Sequence, residues 1–293
     1  MLDRQDYGHP DDLRRMQSLA QRIWSPDQRF HIGDLAWGRY SISGAEAAFR
    51  TSLWEQGGEV VAWAWAELPN YLELLVDPRR GDLVPEMLDW FEATADGPDL
   101  SCMVMDCDFR VQHALRDRGY RRERAGPFFT RHSRDLTELP SVVLPAGFTI
   151  EPVPKGDAER RAAAHRAGWS DFGSRVSTES YATLMQTYPY RSETDLVVVT
   201  DNGEWVASAL GWYDEVNAVG LVEPVSCDPD YRRLGLARAV DVALLYAFRE
   251  LGGDSAVVLP RGDEAYHAPG RLYRSIGYQP GPRTVVYARQ GDA

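Results

Sequence analysis

Cysteine is scarce in this chain: three in 293 residues, Cys102, Cys107 and Cys227. The count is odd, and no Cys-x-x-Cys pair or Cys/His ligand run exists. That argues against a disulfide framework and against structural zinc or any other bound metal, and it fits a reducing cytosol. Positive charge is also short, with 32 Lys and Arg against 44 Asp and Glu, a net charge of −12 at pH 7. A chain this acidic is poorly suited to hold nucleic acid by phosphate neutralisation; it attracts cationic molecules sooner, although net charge alone names no partner. No stretch approaches the roughly 18–20 apolar residues of a membrane span. Met1-Leu2-Asp3-Arg4-Gln5-Asp6 has no apolar signal core. The expectation is a soluble, cytoplasmic protein with no membrane or nucleic-acid partner.

What is present is globular: 44% hydrophobic and 26% charged residues, over a length that suits two domains better than one. A series of landmarks occurs twice, in the same order. Val60-Val61-Ala62-Trp63-Ala64-Trp65 opens a strand in the first half and Trp205-Val206-Ala207-Ser208-Ala209-Leu210 in the second. Each strand runs on to an Asp-Pro, at Asp77-Pro78 and Asp228-Pro229. A helix, an apolar strand and a short helix follow, ending at Arg118-Gly119-Tyr120 and Ile276-Gly277-Tyr278. A Gly-Pro and a final strand close each half, at Gly126-Pro127 and Gly281-Pro282. Ordered landmarks with drifting spacing are the mark of a duplicated domain. Ser133 to Pro145, with Pro140 and Pro145, reads as the linker, dividing the chain into residues 1–135 and 146–293. In the first strand Val61, Trp63 and Trp65 alternate with Ala62, Ala64 and Ala66, a period of two. Leu83 to Ala93 and Gly235 to Leu251 read as helices, the second stopped by Gly252-Gly253. Ser255 to Leu259 reads as a short buried strand. The expected fold is α+β: in each half a mixed, mostly antiparallel sheet with helices on both faces.

The chemistry concentrates between Leu221 and Val240. An apolar strand ends in a turn at Asp228-Pro229, and Arg232-Arg233-Leu234-Gly235-Leu236-Ala237 runs directly into a helix. A helix N-terminus presents unpaired N–H groups and partial positive charge, which suits a pyrophosphate. Gly235 lets the backbone approach phosphate oxygens, Ala237 keeps the next turn open, and Arg232 and Arg233 can add charge-assisted bonds. Pro224 interrupts the preceding strand and marks an edge or a bulge.

These residues resemble the GNAT superfamily of acetyltransferases. Arg232-x-x-Gly235-x-Ala237 matches its acetyl-CoA signature, (Gln/Arg)-x-x-Gly-x-(Gly/Ala), and Leu272-Tyr273-Arg274-Ser275-Ile276-Gly277-Tyr278 is similar to its Leu-Tyr-x-x-x-Gly-(Phe/Tyr) segment. The likeness is strong from Phe148 to Arg289; the first half looks like a second, degenerate unit, as in tandem proteins of the mycothiol-synthase kind. The resemblance implies acetyl-CoA as co-substrate. Val225, Ser226 and Cys227 would pair with its pantetheine arm, and Arg232, Arg233, Leu234, Gly235, Leu236, Ala237 and Arg238 would hold its phosphates. It implies Glu223 as the general base that takes the amine's proton, and Tyr273 as the acid beside the thiolate. Attack would be direct in a ternary complex, so Cys227 is read as a lining residue and not a nucleophile. Trp169, Phe172 and Trp212 are candidates to line the acceptor site.

Two departures stand out. Tyr266, His267, Ala268 and Pro269 replace the family's usual Asn and Ala, which leaves in doubt the contact that asparagine makes to the cofactor; His267 reads as a surface residue. In the first half, Asp77-Pro78-Arg79-Arg80-Gly81-Asp82-Leu83-Val84-Pro85 is a shorter loop with Asp82 where phosphates would lie. That half is expected to lack acetyl-CoA and to serve as a scaffold or one wall of the acceptor site. The leading expectation is thus a small-molecule amine N-acetyltransferase, monomeric or homodimeric. A non-catalytic acyl-CoA sensor or interaction module and a protein lysine acetyltransferase are the competing readings.

Overall fold

The computed structural model describes residues 2–291. The first half runs β1 (Leu2–Asp6), α1 (Asp11–Arg22), α2 (Ile32–Tyr40), β2 (Phe49–Gln56), β3 (Glu59–Glu67), β4 (Tyr71–Val76), α3 (Val84–Thr94), β5 (Leu100–Met105), α4 (Phe109–Asp117), β6 (Arg121–Arg122) and β7 (Thr130–Asp135). The second runs β8 (Phe148–Pro152), α5 (Ala158–Gly168), α6 (Thr178–Leu184), β9 (Asp195–Thr200), β10 (Trp205–Asp214), β11 (Val219–Cys227), α7 (Leu236–Glu250), β12 (Ser255–Val258), α8 (Ala268–Ile276) and β13 (Gln279–Arg289). The repeated order is the repeat seen in the landmarks. The stretches from Val60 to Asp77 and from Trp205 to Asp228 each hold two antiparallel strands, β3–β4 and β10–β11, where one strand was expected.

The alternation along β3 sorts the side chains, with one exception. Trp63 and Trp65 face α1 and α2, while Ala62, Ala64 and Ala66 leave room for α3 on the other face. Val61 joins the alanines because the β2–β3 register slips between Trp54 and Glu55, turning one residue over. Across the molecule α1, α2, α5 and α6 cover one face of the sheet and α3, α4, α7 and α8 the other. Helix α2 reaches over the boundary. Its Ala36 sits in the core of the second half with Trp212, Leu221 and Tyr181, and Gly33 lies so close to Trp212 that a Cβ there would stand 2.3 Å from the tryptophan's Cβ.

All strands form one 13-stranded sheet, and its middle corrects the expectation that each half closes on its own last strand. β7, from the first half, pairs with β12 and with the start of β13. The rest of β13, Thr284–Arg289, pairs with β5, and its Tyr287 and Ala288 also pair with β6. The two terminal strands are exchanged reciprocally. Gly281-Pro282 lies where the β13–β7 register breaks between Pro280 and Arg283, so β13 passes there from one half to the other. The linker is accordingly shorter than expected: Ser133 to Asp135 belong to β7, and buried Leu136 begins the crossing.

Candidate active site

β11 carries two irregularities. Gly211 faces Val222 but Ala209 faces Val225, so Glu223 and Pro224 together oppose Leu210 alone. This is a β-bulge at the proline, which has no N–H to give to a ladder. β11 also pairs with parallel β12 only from Val219 to Leu221. Among the described residues no strand pairs with Val222–Cys227 on that side, and the two strands open into a V with Glu223 near its apex.

The bulge turns Glu223 toward the first half. Its carboxyl lies beside that of Asp34 of α2, and both residues are half-buried. Burial, and then the neighbouring Asp34 carboxylate, push the Glu223 carboxyl well above the usual range, with Arg29 and Arg131 pulling the other way. Asp34 also caps its own helix, accepting a hydrogen bond from the His31 N–H at 2.6 Å. His31 is fully buried and pushed down to about 4, mainly by desolvation, so it is neutral near pH 7. Arg29 pairs with Glu73 at 3.1 Å. Arg131, on exchanged β7, is 1% exposed and gives Nη2 to the carbonyls of Gln28 and Arg29 at 2.5 and 2.8 Å. None of Asp34, Arg29, Glu73 and Arg131 carries a sequence signal for this site. His31-Ile32-Gly33-Asp34 reads as an ordinary helix cap, and only tertiary packing brings it to Glu223.

The signature loop has the expected form. Asp228 Oδ1 accepts from the Asp230 N–H at 3.0 Å and holds the turn. Arg233 and Gly235 take φ of 66° and 84°, the left-handed region in which glycine is unstrained. No side chain caps α7, so its first-turn N–H groups are open to an anion. Arg233, Leu234 and Gly235 are exposed and Ala237 and Arg238 half-buried, while the Leu236 side chain belongs to the core and can offer only its backbone. Arg232 is engaged elsewhere: it pairs with Asp171 at 2.6 Å and reaches the Cys227 carbonyl at 3.3 Å. Val225 and Cys227 are half-buried on the open strand, and Ser226 is buried with its hydroxyl 2.8 Å from that of Ser208. Gly168 at the end of α5 presses on this strand, where a Cβ would come 2.6 Å from the Ser226 Cβ. The open strand, the bare helix N-terminus and the exposed backbone at Gly235 fit a pantetheine pyrophosphate.

Tyr273 projects from α8 into the core, 5.5 Å from Tyr278 edge to face. Burial, then Asp241 and Glu223, push its hydroxyl well above the usual value, so it holds its proton. Of the three aromatic candidates, Trp169 is half-buried and stacked on His165, and Phe172 is 48% exposed between Trp169 and Tyr266. Trp212 is 0% exposed and lines no open surface. It supports the bulge, its indole N–H donating to the Glu223 carbonyl at 2.8 Å. His267 is exposed at the start of α8.

The first half keeps the short parallel pairing, β4 with β5 at Tyr71 and Leu72 only, and an uncapped helix after the loop, but lacks the bulge and the site residues. Its β3–β4 register is unbroken from Ala62 to Glu67. Aligning Asp77 with Asp228 puts Leu72 at the Glu223 position, and aligning Gly119 with Gly277 puts Leu115 at the Tyr273 position. Arg110 fills the space beside Gly81, where a Cβ would lie 2.0 Å from its Cδ, and Arg80 pairs with Asp82 at 3.0 Å.

The acetyltransferase (GNAT) family profile matches residues 162–278. The second half is a GNAT acetyltransferase domain. Solved structures extend the likeness to the whole chain. A tandem GNAT protein from the clavulanic acid biosynthesis pathway is 17% identical, with 100% of this chain and 99% of that one covered and a TM-score of 0.64. A GCN5-related N-acetyltransferase from Sphaerobacter thermophilus is 18% identical over 99% and 95%, with a TM-score of 0.62. A GNAT-family acetyltransferase from Colwellia psychrerythraea is 12% identical over 98% and 100%, also at 0.62. At these identities they establish the tandem GNAT fold. No curated protein matches the chain by sequence. Among the described residues no group of His, Cys, Asp and Glu could hold a metal, and no helix is long and apolar enough to cross a membrane.

Proposed function

We propose that this GNAT-type N-acetyltransferase moves an acetyl group from acetyl-CoA to a primary amine of a small molecule, by direct attack in a ternary complex. One observation carries the reading: the β11 bulge sets Glu223 against Asp34 near the apex of the V, with Tyr273 near enough to shift with its charge. Residues 146–293 bind the co-substrate; residues 1–135 bind none and supply Asp34 and one wall of the acceptor site. The thioester is the acyl donor, bound along Val225–Cys227 and the α7 N-terminus. An alkyl amine of pKa about 10.4 arrives protonated at neutral pH. Ionised Glu223, beside Asp34, takes that proton, and its raised affinity for protons makes it a stronger base than an isolated carboxylate. As the amine nitrogen bonds to the acyl carbon, the C–S bond breaks, the Tyr273 hydroxyl protonates the departing thiolate, and the second proton shed by the nitrogen restores the Tyr273 hydroxyl.

Calorimetry with acetyl-CoA tests the binding half. One site per chain is expected, lost in Gly235→Glu, which forces a side chain into left-handed backbone and puts negative charge among the phosphates. Two sites per chain would overturn the reading of the first half. Glu223→Gln and Tyr273→Phe should each lower kcat by about 10²-fold with an accepted amine. Binding without turnover on any amine would favour the sensor reading, and labelled lysines in a lysate the protein-acetylating one.

A further inference from the structure

The buried arginine of the exchanged strand has no use in the chemistry above. Arg131 is 1% exposed, and its Nε and Nη1 have no hydrogen-bond partner. Only Nη2 is satisfied, by the two carbonyls of the α1–α2 connection. The charged groups facing it are Asp34, Arg29, Glu223 and Asp27. Two of these, Asp34 and Glu223, stand beside one another; Arg29 repels it. A guanidinium buried with two of its nitrogens unsatisfied is expensive unless an anion completes it, and its planar fork suits a carboxylate.

We propose that the acceptor is an amino acid-like molecule, with a carboxylate seated on Arg131 and its amine on the Asp34–Glu223 pair. The proposal rests on the reading of Glu223 as the base and deepens it. The charges support it. With Arg29 offset by Glu73, the Asp34 and Glu223 carboxyls and the Arg131 guanidinium put negative and positive groups side by side in one cluster. A zwitterion matches both poles and adds no net charge. A simple amine fills only one pole and leaves the arginine unsatisfied. Asp34, Glu223, Arg29 and Glu73 all keep some solvent exposure, while the Arg131 nitrogens are closed off until a ligand carboxylate displaces their surroundings.

The test uses the whole chain and a panel of free amino acids, including β- and γ-amino acids, each matched with its own carboxamide. Binding is read by calorimetry with CoA present, and turnover with acetyl-CoA. At least one acid should bind tenfold or more tightly than its carboxamide. Arg131→Gln should erase that preference, and Arg131→Lys, which keeps the charge but not the fork, should retain part of it. The wild-type panel needs no variant, so it decides even if Arg131→Gln fails to fold. A panel in which no acid outbinds its carboxamide overturns the proposal, whether both bind or neither does. An amino phosphate bound in preference to every acid overturns the carboxylate assignment. Glu223→Gln reports separately: surviving turnover sinks the base reading regardless of how carboxylates bind.

Discussion

Glu223 and Asp34 come from opposite halves of the chain and stand side by side. Glu223 takes up its proton above the normal carboxylate range because it is desolvated and because Asp34 is a like charge beside it. The proposed base is active when ionised, so kcat/KM should rise with pH through that raised value. Asp34→Asn removes the like charge and lets Glu223 ionise at lower pH. The acidic limb of the pH–rate profile should therefore move to lower pH in this variant. A merely structural role for Asp34 would lower the rate without moving the limb.

At the scale of elements, α2 and β11 hold the site between them. Helix α2 can lie against the second half because Gly33 has no side chain where the Trp212 ring begins. Gly33→Ala should push the helix off Trp212, whose N–H holds the bulge through the Glu223 carbonyl. Overpacking of this kind costs about 1–3 kcal/mol, read as a lower urea midpoint. Activity should fall further than the lost stability explains, because Asp34 moves with α2. Pro224 belongs to the same scale: its missing donor was legible as a bulge, and the bulge is there. The partner it faces was not legible, since nothing local in β11 codes for α2.

On the scale of the molecule, the exchange of β7 and β13 ties the halves together. Ending the chain after Tyr278 would remove the strand between β5 and β7 and leave edges in both halves. We expect that truncation to destroy the fold of both together, and residues 1–135 expressed alone to be insoluble or unfolded. The intact chain should unfold in a single urea transition, with tryptophan fluorescence and far-UV circular dichroism coincident. Two separated transitions would show that the exchanged strands couple the halves weakly.

The sequence by itself determined the repeated element order, the bulge at Pro224, the bare helix N-terminus after Gly235 and the loss of that loop in the first half. Each depends on backbone properties carried by one or a few adjacent residues: a missing N–H, a missing Cβ, a period of hydrophobicity. The tertiary structure alone decided that the last strands are exchanged, that Trp212 supports the site instead of lining it, that Arg232 is held by Asp171, and that Asp34 and Arg131 stand beside Glu223. Those outcomes depend on which surfaces meet across more than a hundred residues of chain. Either terminal strand could satisfy either sheet edge with the same alternation of side chains, so local pattern does not distinguish them. The choice falls to the packing of α2 over Trp212 and to the pairing of β7 with β12.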